Sequence, residues 1–381
     1  MPQQVPPETS AHRKGYIGVQ VLRGLAAMLV VLFHAAILAD ERFGTRGGHI
    51  FGPFFRAGAG GVDIFFPISG FVMVISTVGL LGEPRAWRTF LERRLIRIVP
   101  LYWIATTLKL LIVLLVPAVV LHSAISPGYV VSSYFFIFAA NPTGEVEPLV
   151  PVAWTLIFEM FFYVCFALTI LFRVSQMRTL AIVMGLVAIA GFFSTPQWPA
   201  ALRVIDPIVL EFVAGMLIAR WTLAGRKLPP VTAGALAALA LLALFATDLG
   251  RDPGLQRIRF LLWGLPGFAL LAAAVSLEPW IAARNWRLPR LIGDASYAIY
   301  ISQGFTLPVV AIALGWIGLR GPLGAAVALI TASAACAAVG VMIYRGIERP
   351  ITRALGRFAK ARAKPAPRYA GLAAPDAAGV P

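Results

Sequence analysis

The chain has 381 residues, of which 59% are hydrophobic and only 13% charged. Soluble domains carry about 25% charged residues, so the composition excludes a water-soluble globular protein and points to a polytopic membrane protein. A net charge of +16 would suit a nucleic-acid partner in a soluble chain; here it is read as membrane topology, because Lys and Arg collect on the cytoplasmic side of spans.

In chain order, residues 1–15 form a short Pro-rich polar tail containing His12-Arg13-Lys14. Apolar runs long enough to cross a bilayer, roughly 17–25 residues, follow at 16–38, 58–80, 97–117, 150–172, 179–195, 204–221, 230–247, 260–278, 292–316 and 322–344. The first run has no cleavable pattern and is expected to stay. With both termini cytoplasmic, most of the 33 Lys and Arg residues fall inside: those from Arg85 to Arg97, Arg173 and Arg178, Arg220 to Lys227, Arg284 to Arg290, and the tail from Arg345. Arg46, Arg251 and Arg259 are among the few counted outside. The positive-inside rule supports ten spans in this orientation.

Residues 129–140, YVVSSYFFIFAA, are short for a crossing, and an eleventh span would turn the basic loops outward. A partial, re-entrant or interfacial segment is expected there, which is tolerated where protein buries it. The expected fold class is all-α: a polytopic membrane helical bundle of about ten transmembrane helices, with one membrane domain over 16–350. Residues 351–381 read as a basic, largely disordered tail. Cys165 and Cys336 lie in separate apolar spans, so neither a disulfide nor a metal site is expected.

The chemistry sits in polar residues that interrupt these spans. Arg23 and His34 are eleven positions apart in LRGLAAMLVVLFHA. That is about three helical turns, so they share a face about 16 Å apart along the axis. Charged groups within a span are costly and usually face a polar interior. Asp63 of GVDIFFPISGF sits near the depth of His34, where an acid could fix the imidazole tautomer and strengthen it as a base. Pro67 cannot donate to the Asp63 carbonyl, so a kink is expected. Ser69 and Gly70 make a small patch that suits close approach or plain helix packing, the reading favoured for Gly70. Arg94 and Arg97 share a face at the start of the third span, suited to phosphate recognition or to topology alone. Pro100 is placed early in that span, where its missing N–H matters least. Glu159 lies mid-span with Thr155 one turn away, so it must be paired, protonated or in a wet cavity.

Six stretches occur in order: Arg23-x10-His34, GVDIFFPISGF (61–71), RRLIRIVPLY (93–102), WTLIFE (154–159), DASYAIY (294–300) and YRGIERP (344–350). Together they resemble the acyltransferase 3 family of integral membrane acyltransferases, and in the first hundred residues its exopolysaccharide O-acetyltransferases. The resemblance implies transfer of an acyl group, usually acetyl, from cytoplasmic acyl-CoA to a sugar hydroxyl of a glycan or glycolipid at the bacterial inner membrane. Membrane lipids and polysaccharide-synthesis proteins are the implied partners; no metal cofactor and no nucleic acid are expected. Carried onto this sequence, His34 matches the catalytic histidine, Arg23 the arginine of the same motif, and Arg94 with Arg97 the pair on the CoA side. Asp63 and Glu159 match motif acids and are taken as catalytic candidates; Ser69 joins the donor side, where an acyl-enzyme relay is the less favoured route. Gln303 stands where the family commonly has His, and Pro67 where it has an ordinary apolar residue. No fused SGNH-type extracellular domain is expected. The alternative is a transporter or flippase of a lipid-linked sugar or small anion, which ten spans and intramembrane charges would also suit.

Overall fold

A computed structural model describes residues 16–44, 51, 55–116, 125–247 and 253–363. The predicted N-terminal tail, the end of the C-terminal tail and the loop arginines Arg46 and Arg251 lie outside these residues. We number the principal helices α1 Ile17–Phe43, α2 Gly61–Thr77, α3 Ala86–Leu115, α4 Pro127–Tyr134, α5 Trp154–Leu171, α6 Gln176–Phe192, α7 Leu210–Leu223, α8 Pro230–Ala246, α9 Gly264–Ser276, α10 Arg287–Asp294, α11 Ser296–Ile317, α12 Gly321–Ile343 and α13 Arg349–Ala363. No strand occurs among the described residues, only an isolated bridge between Ala140 and Val146. The fold is an all-α, multi-pass bundle.

Each of the ten predicted spans coincides with a helix. Among the described residues seven helical runs are long and apolar enough to cross a membrane, while α6 and α8 are shorter apolar helices. Ile182, Leu186, Leu239, Leu242 and Ile330 are exposed on the outside of the bundle. Such a surface is costly in water and natural against lipid.

Two boundaries differ from expectation. Helix α3 begins at Ala86 and runs for 30 residues, so Arg93, Arg94, Arg97 and Pro100 lie well inside it, not at its start. The charged first turns stay helical because α13 packs along them. That packing also corrects the tail, which is helical from Arg349 through Ala363, not disordered from 351. Within 129–140 the chain is helical only as far as Tyr134, the end of the eight-residue α4. At 1.5 Å per residue it is about 12 Å long, far short of a crossing. Its last carbonyls are satisfied by protein, with Tyr102 donating to that of Ser133 at 2.7 Å and Trp103 Nε1 to that of Tyr134 at 3.0 Å, while the Ser133 side chain accepts from the Leu149 amide at 3.0 Å.

Helix α2 is the centre of the bundle, packed on α1, α7 and α9. Glycines allow this. A Cβ on Gly70 would collide with the Phe212 carbonyl, one on Gly215 with the Pro67 carbonyl, and one on Gly267 with the Asp63 carbonyl that Pro67 leaves without a donor. The packing role favoured for Gly70 is thus what the structure shows. Phe162 stacks on Phe212 with centroids 4.4 Å apart, closing the core beside α5. Helix α1 is anchored at its first turn, where the Glu278 carboxylate accepts from the Ile17 and Gly18 amides at 2.8 and 2.7 Å. An acid there satisfies orphan donors and opposes the helix dipole, and so fixes the height of Arg23 and His34.

Candidate active site

Two cavities meet inside the bundle. The first is lined by Arg23, Arg94, Arg97, Ser69, Glu159, Tyr163 and Ser296 among others. The second, larger one is lined by His34, Asp40, Glu41, Arg56, Glu147, Trp154, Arg259 and Trp263 among others. Val62 and Tyr300 belong to both walls. We refer to them as the arginine cavity and the histidine basin. Arg23 and His34, set on one face of α1 by their spacing, thus serve different chambers.

In the arginine cavity the polar groups are organised by hydrogen bonds. Arg23 donates to Ser296 Oγ through Nε at 3.3 Å and Nη2 at 3.1 Å. Glu159 Oε1 accepts from Ser69 Oγ at 2.9 Å and from the Tyr163 hydroxyl one turn along α5. Arg94 donates to Ser76 Oγ, and its buried Nε has no partner among the described residues. Glu348, buried in the short π-helical turn before α13, lies within electrostatic reach of Arg97 and Arg23. Three guanidiniums in one chamber outnumber its carboxylates, which suits an anion with several oxygens. Arg93, by contrast, is exposed and outside this wall.

Tyr297 and Tyr300 of the DASYAIY stretch build the partition. Tyr297 donates to the Ile98 carbonyl at 2.7 Å, and Tyr300 to the Val152 carbonyl at 2.6 Å, with Thr155 Oγ1 at 3.0 Å from the same hydroxyl. Phe65 packs edge-on against Tyr300, centroids 6.1 Å apart. The ring at the junction is therefore held in place from two sides.

In the basin, His34 Nδ1 lies 2.9 Å from the Val30 carbonyl. A carbonyl only accepts, so Nδ1 carries the proton and Nε2 is left with a lone pair, the form a general base needs. Gln303, fully buried, lies beside the imidazole; its Nε2 donates to the Tyr300 carbonyl at 3.0 Å and its Oε1 is unpartnered among the described residues.

Asp63 does not occupy the place expected for it beside His34. It is 0% exposed and is gripped by Arg259, whose Nε and Nη2 donate to its two oxygens at 2.9 and 2.7 Å. An ionised carboxylate in a low-dielectric interior requires such a partner, and the phase of α2 turns Val62, Phe65 and Phe66 to the cavities instead. Sequence reasoning missed Arg259, placing it in an outside loop, and missed Glu211, an acid within an apolar span whose carboxyl oxygens are buried and unpartnered among the described residues. The signal for Glu211 was present: an ionisable residue inside LEFVAG. Ser296 falls within the DASYAIY stretch, whereas Tyr163 carries no comparable signal, since a hydroxyl in an apolar run is common. Among the described residues no group of three His, Cys, Asp or Glu could hold a metal ion.

On the rim of the basin, outside the spans, Glu147 is half-buried; burial, with Glu145 nearby, pushes its carboxyl above the ordinary value, and Lys109 partly opposes this.

The helical membrane bundle and its ordered motifs define a membrane acyltransferase: residues 16–344 match the family described as an acyltransferase domain, and the chain belongs to this acyltransferase 3 family. Over 338 residues it is 37% identical to the exopolysaccharide production protein ExoZ of Rhizobium meliloti (strain 1021), a stretch covering 85% of this chain and 95% of that protein. No solved structure matches it.

Proposed function

We propose that this acyltransferase moves an acetyl group from acetyl-CoA, held at the arginine cavity, to a sugar hydroxyl held in the histidine basin, the sugar belonging to an exopolysaccharide or its lipid-linked precursor. The observation that carries this reading is the meeting of the two chambers at Val62 and Tyr300, with three arginines on one side and His34 on the other. The name of the Rhizobium relative, an exopolysaccharide production protein, supports the acceptor class. On this reading the arginine cavity faces the cytoplasm of a bacterial inner membrane, as the positive-inside count favours, and both termini are cytoplasmic.

Arg23, Arg94 and Arg97 bind the donor's phosphate and carbonyl oxygens. Glu159 holds Ser69 and Tyr163 against the donor side and offsets the arginine charge. At the junction, His34 Nε2 takes the proton of the acceptor hydroxyl as its oxygen bonds to the thioester carbonyl carbon. The carbon–sulfur bond then breaks, the ester remains on the sugar, and the proton returns from His34 to the leaving sulfur as free CoA thiol. Transfer is direct, with Asp63 acting through Arg259 as a positioning residue.

The test is CoA thiol release by purified, reconstituted protein given acetyl-CoA and host surface glycans, wild type beside His34→Ala. The variant is expected to lose about 10²–10⁴-fold in turnover while CoA still raises its melting temperature. A wild type that moves glycolipid without releasing thiol would instead establish a transporter.

A further inference from the structure

Arg259 is more than the counter-ion of Asp63. A purely structural partner for a fully buried acid would be buried with it, yet the Arg259 side chain keeps 16% of its surface exposed and lines the histidine basin. Its fork is spent unevenly. Nε and Nη2 serve Asp63, Nη2 also reaches the Ala59 carbonyl at 3.3 Å, and Nη1 makes no hydrogen bond among the described residues. The guanidinium carbon lies 4.9 Å from the Trp263 ring centroid and 5.6 Å from that of Trp154. Two oxygens, one carbonyl and two indole rings therefore hold the group in place and leave one donor for a ligand. A donor fixed in advance loses little freedom on binding, which is what a positioning site requires.

Charge decides the kind of ligand. Asp63 already neutralises Arg259, and the basin wall adds Asp40, Glu41 and Glu147 against Arg56. Such a chamber has no excess of positive charge with which to draw a polyanion, in contrast to the arginine cavity. It suits a neutral molecule rich in oxygen acceptors.

We propose that Arg259 is an acceptor-binding residue whose Nη1 donates to a ring or hydroxyl oxygen of an uncharged sugar, holding that sugar before His34. This rests on the acyl-transfer reading above.

The experiment uses the reconstituted full chain, acetyl-CoA, and oligosaccharides cut from the host's surface polysaccharide and stripped of esters by mild alkali. Arg259→Lys keeps the charge for Asp63 and removes the fork; the double variant Asp63→Asn, Arg259→Gln removes the pair without stranding a charge. Both should lower kcat/KM for the oligosaccharide by about tenfold to a hundredfold, the worth of one charged hydrogen bond, with KM for acetyl-CoA unmoved. In the wild type, octyl glucoside should compete with the oligosaccharide at about tenfold lower concentration than octyl glucuronide. Unchanged acceptor KM in a folded variant, donor and acceptor KM rising together, or glucuronide competing as well as glucoside would each overturn the assignment of Arg259 alone. Absence of thiol release by the wild type would bring down the acyl-transfer reading, and this inference with it.

Discussion

The arginine cavity and the histidine basin are neighbours built on opposite plans. The first is the smaller, and its polar atoms are tied to one another: Arg23 to Ser296, Arg94 to Ser76, Ser69 and Tyr163 to Glu159. The second is larger, carries both signs of charge, and presents an imidazole whose Nδ1 is turned to the Val30 carbonyl, with Gln303 beside the ring. Groups already bonded, with cations in excess over the single carboxylate of the wall, hold an anionic ligand at fixed depth. A wide chamber with no excess of positive charge admits a bulkier neutral one. The comparison explains why α1 carries both Arg23 and His34: one helix, anchored at its foot by Glu278, sets the height of both chambers together.

The sharpest way to break this division is to close the junction. Val62→Phe would fill the shared wall beside Tyr300, and acyl transfer is expected to fall by about a hundredfold or more, as displacement of reacting groups by an ångström does. CoA should still raise the melting temperature of this variant, because Arg23, Arg94 and Arg97 are untouched. Transfer at the wild-type rate would mean that the acyl group does not pass between Val62 and Tyr300. A smaller effect is expected on the donor side alone: Arg94→Gln with Arg97→Gln should raise KM for acetyl-CoA by about tenfold to a hundredfold and leave acceptor KM unchanged. Steady-state kinetics with each substrate varied in turn would show whether the chambers are as separate as their linings imply.

How much of this was legible without coordinates follows from which interactions are local. The positions of the helices were, because hydrophobic runs of bilayer length dominate the sequence. So was the shared face of Arg94 and Arg97, which helical spacing fixes. The long-range pairings were not. Asp63 meets Arg259 across 196 positions and Arg23 meets Ser296 across 273, and nothing in either flanking sequence names its partner. Depth alone put Asp63 with His34; helix phase, set by Gly267 and Gly215 packing on α2, turned it away. The start of α3 was misplaced for a related reason. A charged stretch reads as a loop until a second helix, here α13, is known to cover it.

The rim of the basin offers a finer test of its mixed-charge character. Burial and the nearby charge of Glu145 raise the Glu147 carboxyl above its ordinary value of 4.5, because both disfavour the ionised form. The sign follows from linkage. A carboxyl raised on folding contributes stability that is full below its unfolded value and is lost as pH rises through the folded one. Glu147→Gln keeps the shape and removes the charge. The variant should melt with the wild type near pH 4 and about a degree or two above it at pH 7, a small difference because half of the group is screened by solvent. Thermal unfolding in detergent across that range reads it directly. A wild type that is the more stable at pH 7 would mean that Lys109, the opposing charge beside Glu147, outweighs burial, and that the rim is held together by an ion pair.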